Sequence, residues 1–170
     1  MSKKKKIFVG ISIGLNVLLL ALVGWGLLTM NFVKEQVLIT EVQSNLVELE
    51  GLIAYESETN WTEPKLVTAK LGDVLNGITL GLTTGNQLGT LSKKDDVILQ
   101  KLYLRLNQYP TNDEYSFVDL TEKDKRNFEE LREILREAEL GLNITIHNDM
   151  DIFIKQAEVL LEKIHYPLNY

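Results

Sequence analysis

Apolar positions follow two different patterns along this chain. From Ile7 to Met30 they are nearly continuous: no residue is charged, and the only plainly polar side chains are Ser12, Asn16 and Thr29. About twenty such residues, coiled as a helix, match the ~30 Å hydrocarbon core of a bilayer. Lys3, Lys4, Lys5 and Lys6 precede the run, which puts the N-terminus on the cytoplasmic side, and Phe8 and Trp25 stand where aromatic rings would meet the two interfaces. A cleaved signal peptide is the alternative, with an apolar stretch of about 7 to 15 residues and a small-x-small site. The run from Ile7 to Trp25 is already 19 residues long and lacks a good site. The expectation is an uncleaved anchor over residues 7–30, behind a cytoplasmic stub of residues 1–6. Gly10, Gly14, Ala21 and Gly24 share one helical face with Val17 and Leu28, so the anchor carries a candidate packing face for a second helix.

After the anchor, apolar residues recur at spacings of three and four, the period of an amphipathic helix. Ile39, Val42, Leu46, Leu49 and Ile53 extend the first helix to about Tyr55, and a polar turn follows from Tyr55 to Thr62. Thr62 and Pro64 begin a second helix with Val67, Leu71, Val74, Leu75, Ile78 and Leu82 on its apolar face. Gly77, Gly81, Gly85 and Gly89 interrupt that pattern, each costing a helix about 1 kcal/mol relative to Ala. Three outcomes stay open for residues 77–92: a helix ending near Leu82 and then a loop, which is favoured, a continued helix against a closely packed neighbour, or a short strand.

Ser92 with Asp95, and Thr121 with Asp124, have the spacing of helix-starting capping pairs. They open helices on Ile98, Leu99, Leu102, Tyr103 and Leu106, and on Phe128, Leu131, Leu135 and Ala138, the latter closed by Gly141. A last helix starts near Asn148 and stops before Pro167. The fold class expected is therefore all-α: one transmembrane helix and, over residues 31–170, an extracytoplasmic antiparallel bundle of about four helices.

Charge sharpens the division. The chain has 18 basic and 24 acidic residues, and without the four leading lysines 14 basic groups face 24 acidic ones, a balance of −10. An acidic domain without a basic stripe repels phosphate backbones, which argues against nucleic-acid binding. The chain has no cysteine, which removes disulfides, thiolate metal sites and cysteine nucleophiles.

Little in the chain points to chemistry. His147-Asn148-Asp149-Met150-Asp151 gathers hard-cation ligands, but the loop glycine and third acidic position of a calcium loop are missing, so capping of the last helix is the preferred role. Glu129, Glu130, Arg132, Glu133, Arg136 and Glu137 have the pattern of a solvated, self-pairing helix face. Asn60-Trp61-Thr62 and Asn143-Ile144-Thr145 match a glycosylation pattern, coincidental behind a lysine-rich leader of bacterial type. Tyr109, Tyr115 and Phe117, set among polar residues, are either a partner-binding loop or, as preferred, a lid on the bundle core.

The function expected is that of a single-pass, non-enzymatic interaction or scaffold protein of the cell envelope. It would hold no metal or cofactor, and its partners would be the lipid bilayer and a membrane or envelope protein, which could be a second copy. An extracytoplasmic sensor or ligand-binding domain acting through a membrane partner is the second expectation. An envelope hydrolase is the third.

Overall fold

The computed structural model describes residues 3–111, 119–145 and 149–168. Among them every apolar stripe becomes a helix and no strand occurs. Helix α1 (Lys3–Leu38) passes through a five-residue π turn (Ile39–Gln43) into α2 (Ser44–Glu58), followed by α3 (Lys65–Leu88), α4 (Lys93–Leu106), α5 (Glu122–Glu137) and α6 (Met150–Lys163). The chain forms two compact units, Met1–Val33 and Lys34–Tyr170.

The starts of the later helices are written in single polar side chains. Ser92 Oγ accepts the Asp95 N–H, Asp149 accepts the Ile152 N–H, and Thr121 and Asp124 form a reciprocal capping box. Each satisfies an N–H that the first helical turn leaves without a carbonyl. The start of α3 departs from expectation. Thr62 does not cap it; instead the Glu63 N–H donates to the buried carboxylate of Glu56, one helix earlier.

In the second unit α2 packs on α3 and α5, α4 packs on α3 and α6, and α6 also meets α5. The bundle is thus a closed ring of five helical segments rather than about four. A ring with an odd number of members cannot be antiparallel at every interface. The exception falls at α4 and α6, where Lys94 pairs with Glu158 and, farther along α4 and just past the end of α6, Arg105 lies over the Tyr166 ring, so the two run parallel. Leu46, Leu49, Ile53, Leu71, Ile78, Leu99, Leu102, Phe128, Leu131 and Phe153 are among the fully buried residues.

The favoured ending of the second helix near Leu82 is overturned, because α3 runs on to Leu88 and the glycines are its packing face. A Cβ on Gly77 would fall on the carbonyl oxygen of Glu41, and one on Gly81 on the side chain of Leu38. Their cost in helix propensity is offset by close approach to the π turn and to the end of α1. Gly89, at φ 62°, ends α3 in the left-handed conformation, with the Thr90 N–H bonded to the Gly85 carbonyl.

Gly141 does not close α5. Glu139 takes the left-handed position at φ 59°, and the Leu140 N–H returns to the Leu135 carbonyl at 2.8 Å. Leu135 and Leu140 are both fully buried, which supplies the hydrophobic packing that accompanies this kind of ending.

The π turn itself has a readable cause. Leu38-Ile39, Val42-Gln43 and Leu46-Val47 are buried pairs set four residues apart. At about 100° per residue, pairs so spaced drift about 40° around an α-helix at each step. One widened turn cancels the drift and keeps all three pairs facing the bundle. The bond that marks it runs from the Ser44 N–H to the Ile39 carbonyl, five residues back.

Candidate functional site

In the first unit, the helix carries apolar side chains on all its faces and leaves them exposed: Phe8 is 77% exposed, Leu20 71% and Leu28 72%. It is long and apolar enough to cross a membrane. Its polar residues turn back onto their own helix, with Asn16 Nδ2 donating to the Ser12 carbonyl and Thr29 Oγ1 to that of Trp25. Local bonds of this kind let a polar side chain sit in an apolar medium without an external partner. At Gly10, Gly14 and Gly24 an added Cβ would meet nothing within 4 Å, and Ala21 is exposed, so the small-residue face is open in a single chain.

Two polar clusters cross the core of the second unit, and sequence reasoning anticipated neither. Glu50, on α2, is 2% exposed; Arg132 Nε and Arg136 Nη1 of α5 each donate to its Oε1 at 3.1 Å, and the Leu142 N–H donates to its Oε2 at 2.9 Å. Burial pushes this carboxyl up, but the Leu142 N–H and the two guanidinium groups more than offset it, so Glu50 titrates below its ordinary value. The expected solvated face of α5 is corrected here. Arg132 and Arg136 reach across to α2, while Glu129 accepts from Ser57 and from the Trp61 indole. A Glu at a core position of the α2 stripe, one turn after Leu46, was the signal available in the sequence.

The second cluster lies at the π turn. Gln43 is fully buried and donates to Gln156 Oε1 of α6 at 2.8 Å, and Gln156 donates in turn to the Glu139 carbonyl at the end of α5. Around it, Ser44 Oγ donates to the Ile39 carbonyl and Asn45 Nδ2 to the Glu41 carbonyl. Lys70 ties α3 to the same region through Asn45 and Glu48, and pairs with Asp73 on its own helix.

Of the aromatic loop residues, Tyr109 is 3% exposed and its ring centroid lies 5.5 Å from that of Phe128, which also has Trp61 at 6.1 Å. The Tyr109 ring is buried with the core residues around Phe128. Tyr115 and Phe117 lie outside the described residues. Trp61 joins this cluster although it stands in the segment expected to be a polar turn; left-handed φ values at Asn60 and Trp61 fold the indole back inward. Asp149 caps α6, while His147 and Asn148 lie outside the described residues. Among the described residues no group of three or more His, Asp or Glu side chains is placed to hold a metal ion.

Among the shallow grooves on the bundle surface, two meet at the half-exposed Leu104. One, of about 480 Å³, runs between α3 and α4 past Leu82, Thr83, Gln100 and Tyr103. The other, of about 380 Å³, runs between α4 and α6 past Lys101, Arg105, Glu162 and Tyr166. Both are lined by apolar and polar side chains together. Compared with known proteins, the chain matches no family model, no curated protein and no solved structure.

Proposed function

We propose that this protein is a single-pass membrane-anchored helical interaction module without enzymatic activity, its N-terminus inside and its bundle outside the cytoplasmic membrane. One observation carries the reading: a helix apolar on every face follows a block of four lysines, and its Asn and Thr side chains are bonded within the helix. So large an exposed apolar surface is costly in water and favourable in lipid, and the lysines suit an anionic inner leaflet. The bundle then serves as the part that meets an envelope or membrane protein. Protease added to cells stripped of their outer layers should digest the chain beyond about Phe32 and leave a membrane-bound stub. A soluble product starting near Leu27 would refute the anchor.

The open face of Gly10, Gly14, Ala21 and Gly24 supports a second copy as one partner. Gly14→Leu should weaken self-association by about 1 kcal/mol or more without blocking insertion, whereas Leu15→Ala on another face should not. Equal signals from all three chains in a membrane dimerisation assay would remove the self-pairing role. A sensor that acts through a membrane partner is the second reading, with the apolar helix as the part that would meet that partner.

A further inference from the structure

A π turn is rare because its backbone is less favourable than the α-helix on either side. Here groups from outside the helix hold it. Gly77 of α3 sits against the Glu41 carbonyl, Leu38 covers Gly81, and Gln43 is bonded to Gln156, which is bonded to the end of α5. Three helices distant in sequence therefore decide the geometry of five residues.

We propose that Ile39–Gln43 is a register switch. With Gln43 bonded to Gln156 the turn is π and Leu38 faces Gly81. When that bond opens, the turn relaxes to α-helix, Ile39 moves into the place of Leu38, and the residues from Lys34 to Leu38 rotate by about 100°, the angle of one helical residue. The two phases are close alternatives because Leu38 and Ile39 are both apolar and both buried, so either fills the gap above Gly81. A partner that drew α6 or α3 away would shift the population toward the second phase through its differential binding alone.

The test uses the full chain. It has no cysteine, so Glu35→Cys and Glu130→Cys place spin labels at two exposed positions of the Lys34–Tyr170 unit. The parent should give one interlabel distance. Gln43→Leu, which keeps a buried side chain of similar size but removes the bond, should add a second distance displaced by several ångströms, within the ~10 Å helix diameter. Gln156→Leu should add the same one. Deleting the exposed Thr40 removes the extra residue, so in that background Gln43→Leu should leave a single distance. A single unshifted distance in both Gln variants would overturn the switch. So would a broad distribution with lost helical signal, because the segment would then lack a second folded register. Both labels lie in the bundle unit, so the outcome does not depend on whether residues 7–30 enter a bilayer.

Discussion

Glu50 is the residue whose chemistry most directly holds the bundle together. Its carboxylate is out of water, and two arginines and a backbone N–H replace its hydration. Removing the charge leaves two guanidinium groups that are about a third exposed and can turn to water, so the loss is that of charge-assisted hydrogen bonds, about 1–3 kcal/mol. Glu50→Gln should therefore lower unfolding stability near neutral pH by about 1–3 kcal/mol, measured by urea titration. The pH dependence has a definite sign. With the folded-state value depressed below the ordinary 4.5, the unfolded chain binds the proton first. The stabilisation is then complete above that ordinary value and is lost as pH falls through the lower folded one. Parent and Glu50→Gln should converge as the solution is acidified. Curves that stayed parallel down to about pH 3 would mean Glu50 carries no such linkage.

At the scale of the element, α3 contains a test with opposite signs. A Cβ at Gly72 meets nothing within 4 Å, whereas at Gly77 it falls on a backbone carbonyl that cannot turn aside. Gly72→Ala should stabilise by up to about 1 kcal/mol through helix propensity. Gly77→Ala gains the same propensity but forces two helices apart, and overpacking of about 1–3 kcal/mol should leave it destabilised. Gly81→Ala should cost less than Gly77→Ala, because it meets the movable end of Leu38. Chemical unfolding of the three variants would order them, and a stabilised Gly77→Ala would deny the close approach. The capping box predicts a smaller effect: Thr121→Ala should cost about 1 kcal/mol, with amide exchange rising first in the opening turn of α5.

For the whole molecule, the boundary between the two units at Val33 and Lys34 predicts that residues 34–170 fold alone. That fragment should be helical, unfold in one cooperative transition and show the same melting temperature with and without a chelator. A chain of this size can bury a sufficient core. Helicity that appeared only on adding a divalent ion, or a transition in two separate steps, would contradict it.

Read as a bare string of residues, the chain already specifies the all-helical class, the apolar first helix, the capped starts at Ser92 and Thr121, a capped start to the last helix within residues 147–151, and most of the buried stripe. These are local matters: a helical period and a capping oxygen act within a few residues, so the chain states them directly. What Gly77 and Gly81 are for was settled by packing alone, because a missing Cβ has no meaning until a neighbouring helix arrives above it. Packing also turned Arg132 and Arg136 from a solvated face into partners of Glu50, and folded Trp61 into the core. The pairs at Leu38, Val42 and Leu46, four residues apart, were visible in the chain, but only the ring of helices around them makes a widened turn cheaper than a drifting face.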